Sequence, residues 1–187
     1  MKSVNVNELR EIQLSILDSV AEFCEKNNIK YFLAYGTLIG AVRHKGYIPW
    51  DDDIDIIMPR TDYEKFINDF NNFSNDYKVY TVNNTEWFPF PYAKVSYENS
   101  IIKELSDNMK NHNIGINIDL FPIDGVPKDE KLIKKHLRRL QWLQNLLKLK
   151  GIVVVPSRSL YKNLILLIAK TSTVFLKPQS IAKKLTI

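Results

Sequence analysis

Residues 46–56 read Gly-Tyr-Ile-Pro-Trp-Asp-Asp-Asp-Ile-Asp-Ile, and this stretch carries the strongest structural signal in the chain. From Asp53 onward acids alternate with isoleucines, which is the two-residue period of a strand with one buried face. On such a strand Asp53 and Asp55 project from the same face. Two carboxylates there provide hard oxygen ligands of the kind that Mg²⁺ prefers. Without a cation, burying these charges beside the core would cost free energy. We therefore expect a metal site, with a solvated acidic turn as the alternative, above all for Asp51 and Asp52.

A strand-to-helix turn precedes the acidic stretch. The apolar run 31–34 predicts a short buried strand that breaks at Gly36, and Thr37 is expected to cap a brief helix that closes near Gly46. Backbone N–H groups and the helix dipole at such a turn can hold a phosphate. Because many strand-to-helix turns contain Gly-Thr, a turn without a ligand is the alternative.

A third acid follows much later in the chain. The segment 117–122, Asn-Ile-Asp-Leu-Phe-Pro, places Asp119 between apolar residues on another predicted strand, although it is also compatible with a turn or edge position. Further strands are predicted at 54–58, 77–82, 93–97, 101–103 and 114–120. Helices are predicted from about residue 9 to 27, from 61 to 70, from 128 to 150 and from about 159.

The charge of the chain is distributed unevenly along its 187 residues. Residues 1–127 contain 12 Lys and Arg against 19 Asp and Glu, whereas residues 128–187 contain 14 against 2, and the formal net charge of the whole is +5. This asymmetry predicts an acidic core domain over 1–127 and a basic helical extension over 128–187. The amphipathic helix that opens the extension suits packing on the sheet as well as contact with an anionic membrane surface.

The composition excludes several functional classes. A single cysteine, Cys24, excludes an internal disulfide and cysteine-rich zinc or iron–sulfur sites. The aromatic residues lie mostly in the acidic part, away from the cations of the extension, which argues against nucleic acid as a partner. The polar start of the chain is unlike a signal peptide, so we expect a cytoplasmic location. The apolar stretch 164–176 is too short to span a bilayer, but it is compatible with peripheral contact at the inner membrane face.

A Gly-Thr turn, an Asp-x-Asp strand and a third acid on a neighbouring strand resemble the pattern of the nucleotidyltransferase superfamily. The stretch 35–58, in which Gly-Thr-Leu-Ile-Gly-Ala-Val-Arg-His-Lys precedes the acidic segment, is similar to the LicD family of phosphocholine transferases, which is related to the fukutin group. Ile-Asp-Leu-Phe-Pro-Ile-Asp-Gly at 118–125 resembles a second family block. The resemblance covers about residues 5–127 and implies an α+β, nucleotidyltransferase-like fold: a mixed sheet, flanking helices and here a helical C-terminal extension.

The resemblance implies a function as well as a fold. Family members transfer a phosphorylated group, typically phosphocholine from CDP-choline, to a hydroxyl of a cell-surface glycan, teichoic acid or lipopolysaccharide precursor. Mg²⁺ or Mn²⁺ on Asp53 and Asp55 would hold the diphosphate of this nucleotide-linked donor. Asp119 would complete the metal site or accept the proton of the acceptor hydroxyl. Gly36 and Thr37 would contact phosphate.

Further side chains are assigned to the substrates under the same resemblance. Arg43, with His44 or Lys45, would stabilise the negative charge that develops during transfer, although His44 is equally explained as a helix C-terminal residue. Lys94 is a weaker candidate for phosphate binding. Trp87 lies in an aromatic run that would cage a quaternary ammonium by cation–π contact, unless the run only packs a loop.

Two other functions stay open on the sequence. A metal-dependent sugar-nucleotide glycosyltransferase also uses an Asp-x-Asp motif, but no nucleotide-binding strand–helix repeat precedes the acids here. An inactive, membrane-associated accessory module would keep the fold without its chemistry. The family resemblance also implies a Tyr-Gly-Asp-Tyr-Met-like segment and a Leu-Pro-Pro near the C-terminus, which do not occur before Ile187. We therefore expect a short or truncated member, whose basic extension faces a lipid-linked, anionic polymer acceptor.

Overall fold

The computed structural model describes residues 4–102, 107–109, 112–153, 155, 157 and 159–186. The chain divides into two compact units. The first comprises Met1–Thr81, Tyr92–Ile102 and Ile114–Asp124, and the second comprises Val82–Pro91, Lys103–Asn113 and Gly125–Ile187. Whether 1–127 is a separate folding domain, as the charge distribution predicts, stays a prediction.

Among the described residues, the first unit is built on a five-stranded mixed sheet with the strand order β1-β2-β5-β4-β3. The strands are β1 Phe32–Leu33, β2 Asp55–Pro59, β3 Tyr77–Tyr80, β4 Ala93–Tyr97 and β5 Asn117–Ile123. β2 and β5 pair in parallel, and the other neighbours are antiparallel. The helices of this unit are α1 Val6–Asn27, α2 Tyr35–Arg43 and α3 Arg60–Asp69, followed by a 3₁₀ turn at Phe70–Asn72. The predicted α+β class with a mixed sheet and flanking helices is confirmed.

The core lies between one face of the sheet and the helices α1 and α3. Alternate residues of β2 and β5 point into it, as the two-residue period predicted, and α1 adds an apolar stripe. Phe66 of α3 and Phe70 of the 3₁₀ turn stack at 4.7 Å between ring centroids, and Phe23 of α1 meets both rings edge-on. Cys24 is a buried core thiol, and this burial raises its pKa to about 12. Buried residues of this cluster include Ile16, Val20, Ile56, Met58, Val95, Ile118 and Leu120.

Several predicted element boundaries differ from the structure. β2 begins at Asp55, so Asp53 lies in the loop before the strand rather than on it. The predicted strand at 101–103 is reduced, within the described residues, to one isolated bridge between Ile102 and Ile114, and position 103 lies outside them. β5 is displaced toward the C-terminus of its predicted range, because the Asn117–Ile123 segment pairs along the whole of β2.

The second unit contains the basic helices. They are α4 Glu130–Gly151, α5 Leu160–Ser172 and α6 Pro178–Leu185, so the predicted helical C-terminal extension is confirmed. Asp129 caps α4 by accepting the N–H of Leu132. Lys150 donates to the carbonyl of Thr173, which joins the end of α4 to the end of α5. In the part of the chain that the structure describes, none of the helices has both the length and the hydropathy of a membrane span.

The burial of Phe66 generates a stability prediction. We expect Phe66→Ala to lower the free energy of unfolding by about 3 to 5 kcal/mol, because it opens a cavity beside Phe23 and Phe70. Phe175→Ala is the matched control, since its ring is 94% exposed. The control should change stability by less than about 0.5 kcal/mol. Denaturant unfolding followed by circular dichroism measures both, and equal losses would contradict the described core.

Candidate functional site

Acidic side chains converge where the parallel strands β2 and β5 begin. Asp55 lies directly opposite Asp119 in the register of the two strands. Residues paired in this way project from the same face, which is the face opposite the core, since Ile56 and Leu120 point the other way. Asp53 precedes Asp55 by two residues. Asp53 lies in the loop before β2, close enough for its charge to act on Asp55, so the three acids of the sequence pattern are brought together where β2 and β5 begin.

The acidic loop before β2 adds to this cluster. Ligand oxygens of Asp51, Asp52 and Asp53 lie within 4.8 Å of one another, an arrangement that could hold a metal ion. Burial raises the pKa of Asp53, and the charge of Asp51 and a hydrogen bond to it raise this pKa further. Burial raises the pKa of Asp55 to about 6, and the charges of Asp53 and Asp119 add to the effect. The raised pKa values reflect the partial burial of these carboxylates and the repulsion among them.

Lys94 on β4 offsets part of this charge. It is opposite Asp119 in the register of β4 and β5, and only 7% of its surface is exposed. Its Nζ donates to Asp119 Oδ1 at 2.6 Å and to Asn117 Oδ1 at 3.0 Å. The lysine thus fixes the orientation of Asp119 on the sheet. Lys94, which the sequence predicts as a phosphate-binding candidate, is paired with the carboxylate of Asp119 in this structure.

The first turn of α2, which follows β1 almost directly, is attached to the first residue of β2. Thr37 does not cap α2, because the helix begins at Tyr35 with Ala34 as its N-cap and no side-chain cap bond. Thr37 Oγ1 instead accepts the backbone N–H of Asp55 at 2.8 Å. A Cβ at Gly36 would collide with the carboxylate of Asp51, so glycine allows the acidic loop to lie against this turn. Both predicted turn residues therefore contact the acidic cluster.

Helix α1 holds the acidic loop in place. Arg10 Nη2 donates to the carbonyl oxygens of Ile48, Pro49 and Asp51 at 3.2, 3.0 and 2.6 Å. Gln13, of which 3% is exposed, donates to the carbonyl of Asp52 at 2.9 Å. These carbonyls lie in a loop without strand partners, and the two side chains satisfy them.

Sequence reasoning missed Arg10 and Gln13. Gln13 lies on the buried side of α1, where Ile12 and Ile16 are its apolar neighbours. Tyr47 donates to its Oε1 at 3.0 Å, so the glutamine is fully engaged between helix and loop. A polar residue within an apolar helical stripe was the available signal, because such a residue is usually buried against a polar partner.

A cavity of about 440 Å³ lies beside the acidic loop, between α1 and α2. Asp51, Asp53 and Thr37 line its polar part, and Lys45 also contributes to the wall. Its apolar lining is formed by Leu14, Leu17, Leu33, Ala41, Ile48 and Ile54. The volume is in the range of small-molecule sites, so a ligand that enters this cavity would reach the carboxylates of the loop.

The remaining predicted residues are Arg43, His44 and Trp87. Arg43 is in the last turn of α2 and His44 is its C-cap, and both are exposed. Among the described residues, neither forms an ion pair with Asp53, Asp55 or Asp119. Trp87 belongs to the second unit, where its ring stacks on His112 at 4.9 Å with an interplanar angle of 7°.

Comparisons with known proteins identify relatives of this chain. It is 36% identical over 142 residues to the lipopolysaccharide cholinephosphotransferase LicD of Haemophilus influenzae, covering 74% of this chain and 53% of that protein. It is 46% identical over 57 residues to an uncharacterized protein of Rickettsia typhi, covering 30% of this chain and 18% of the relative. An uncharacterized protein of Rickettsia prowazekii is 56% identical over 41 residues, which cover 22% of this chain and 15% of that protein.

These matches cover at most about half the length of the curated relatives. No solved structure matches the chain. The family described as LicD/FKTN/FKRP, nucleotidyltransferase domain, matches residues 28–146, which include the turn, the acidic loop and the strands β2, β4 and β5. The chain therefore belongs to the LicD/FKTN/FKRP nucleotidyltransferase-domain family.

Proposed function

We propose that this protein transfers phosphocholine from CDP-choline to a hydroxyl of a cell-surface glycan, in a lipopolysaccharide or teichoic acid precursor. The observation that carries the proposal is the convergence of Asp53, Asp55 and Asp119 at the start of the parallel pair β2 and β5. The relative in Haemophilus influenzae is named a lipopolysaccharide cholinephosphotransferase, which supports this choice of transferred group. Membership of a nucleotidyltransferase family favours phosphoryl transfer over glycosyl transfer.

A divalent metal fits the donor set of this site. Carboxylate oxygens are the ligands that Mg²⁺ and Mn²⁺ take, and partial burial together with the neighbouring carboxylates raises the pKa of Asp53 and of Asp55, an effect that a bound cation would offset. In this proposal Asp53, Asp55 and Asp119 would hold the ion, and Asp53 is the member that also belongs to the close group of loop carboxylates with Asp51 and Asp52. Once bound, it would neutralise charge on the diphosphate of the donor and on the departing CMP.

The residues around the metal ligands have distinct proposed roles. Lys94 orients Asp119, either as a metal ligand or as the group that accepts the proton of the acceptor hydroxyl. Gly36 and Thr37 would bring the backbone of the α2 turn toward phosphate. Lys45 lines the cavity beside Asp53 and is the better placed of the cations predicted to contact the donor.

The basic extension is proposed to face the acceptor. Its cations Lys131, Lys134, Lys135, Arg138 and Arg139 are exposed along the first half of α4. An anionic, lipid-linked acceptor or the headgroups of a membrane surface would be attracted to this helix. Peripheral membrane contact is thus part of the proposal, as a property of α4.

Amide variants of the acids test the proposed chemistry. We expect Asp53→Asn, Asp55→Asn and Asp119→Asn to lower Mg²⁺-dependent CMP release from CDP-choline by about 100-fold or more, because each removes a charge facing the diphosphate. The matched control is Asp69→Asn on the exposed side of α3, which should retain activity. Release that is equal in all variants would contradict the site. Absence of release with every CDP-linked donor would favour the accessory-module alternative.

The partial burial of Asp55 and its repulsion by neighbouring acids predict a pH dependence of stability. Its pKa is raised from 3.8 to about 6, so the native protein binds this proton more tightly than the unfolded chain does. Without metal, stability should therefore fall as pH rises from about 4 to about 6 and change little above that range. Mg²⁺ should raise the Tm more at about pH 7.5 than at about pH 5, because protonation competes with the metal.

Thermal unfolding followed by tryptophan fluorescence measures this dependence. Asp55→Asn should flatten the pH profile of the metal-free protein and reduce the effect of Mg²⁺ on the Tm. Asp69→Asn serves again as the control, with a profile like that of the wild type. An Asp55→Asn protein that responds to Mg²⁺ as the wild type does would contradict the assignment of Asp55 as a metal ligand.

A further inference from the structure

We propose that Tyr35, Tyr92 and Phe121 form the binding site for the quaternary ammonium head group of the donor. This inference rests on the proposed phosphocholine transfer and assigns the part of the site that would distinguish choline from other head groups. It is carried by an aromatic cluster of the first unit that neither the sequence pattern nor the acidic cluster explains. We call these three residues the aromatic platform.

The aromatic platform lies on the same sheet face as the acids. Phe121 follows Asp119 by two residues on β5, so the two side chains project from the same face about 6 to 7 Å apart along the strand. Tyr92 immediately precedes β4, and its ring centroid is 4.4 Å from that of Phe121. The ring of Tyr35 meets Phe121 edge-on, at 5.6 Å and 89°.

The sheet register extends this arrangement into two parallel rows. One row crosses the strands as Asp55, Asp119 and Lys94. The next row, two residues further along β2 and β5, begins with Ile57 and Phe121, which are register partners. Tyr92 continues it beside Phe121. A charged row and an aromatic row thus lie side by side on one face.

This spacing suits phosphocholine. Its phosphorus and its nitrogen are separated by an ester oxygen and two methylene groups, a length comparable to the distance between the rows. With the phosphate at the acidic row, the trimethylammonium group would reach the aromatic platform. A quaternary ammonium donates no N–H hydrogen bond, so ring faces and surrounding negative charge are the features that recognise it.

The cluster already has a cation beside one ring. Lys94 Nζ lies 5.8 Å from the ring centroid of Tyr92. The acids of the site also give this end of the sheet a negative potential, which attracts a cationic group. This negative potential favours a positively charged ligand over a neutral apolar one, and the ammonium of Lys94 is itself held by Asp119.

Of the three residues of the aromatic platform, Tyr35 is the one least explained by a purely structural role. Its side chain is 62% exposed, although its ring contacts Phe121. Its φ of 44° is in the left-handed region, which is unfavourable for a residue with a Cβ. The strained backbone holds the ring directly before Gly36 and Thr37, the turn that is bonded to Asp55. Strain retained at such a point is typical of functional positions.

Tyr35→Leu tests the proposal with little risk to the fold, because the side chain is mostly exposed. We expect the KM for CDP-choline to rise about 3- to 30-fold while the KM for CDP-ethanolamine changes much less, since a primary ammonium can still form hydrogen bonds. Tyr35→Phe keeps the ring and should keep the donor preference. Tyr161→Leu removes a 72% exposed tyrosine of α5 and is the control.

Equal changes for both donors, or an unchanged KM for CDP-choline in Tyr35→Leu, would overturn the inference. A direct binding measurement separates this outcome from failure of the proposed transfer. Broadening of the methyl proton resonance of tetramethylammonium should occur with wild type and Tyr35→Phe and be lost with Tyr35→Leu. If CMP is never released but this pattern appears, the cation site stands and the transfer fails. The same broadening with Tyr35→Leu, or none with wild type, would overturn the site.

Discussion

The parallel pairing of β2 with β5 is the constraint on which the rest of the structure depends. It joins segments more than sixty positions apart in the chain and sets Asp55 against Asp119. Because side chains alternate between the faces of a strand, a slip of one residue would turn one of these acids into the core and an isoleucine or leucine out of it. The apolar alternation of both strands opposes such a slip, so the burial that forms the core also aligns the acids.

Acids that are gathered in this way repel one another, and the surrounding structure holds them together against this repulsion. From α1, Arg10 and Gln13 bind the backbone of the loop that carries the acids. Thr37 binds the first residue of β2, and Lys94 binds Asp119. These contacts come from three elements that are distant in sequence. The acidic cluster is therefore a property of the packed first unit, and a divalent cation is the ligand that would relieve its remaining repulsion.

The same register that aligns the acids also produces the aromatic row next to them. A sheet face with one charged and one aromatic row offers two kinds of contact within the length of a small zwitterion. In the proposed function, phosphate and metal would occupy the charged row and the ammonium group the aromatic row. Specificity for the head group and catalysis of transfer would then depend on neighbouring residues of the same strands, with Asp119 and Phe121 on β5 serving one role each.

The amino-acid sequence by itself determined the α+β class, a strand directly after the acidic loop, a strand-to-helix transition near Gly36 and the family. These features are local, since the alternation of polar and apolar residues and the spacing and order of motifs can be recognised within a few tens of residues. Only the tertiary structure decided that Lys94 contacts Asp119, that Arg10 and Gln13 hold the loop, and that Trp87 lies in the other unit while Tyr35 lies on Phe121. Such contacts depend on strand order and register. These arise from the packing of the whole unit and produce no periodic pattern in the sequence.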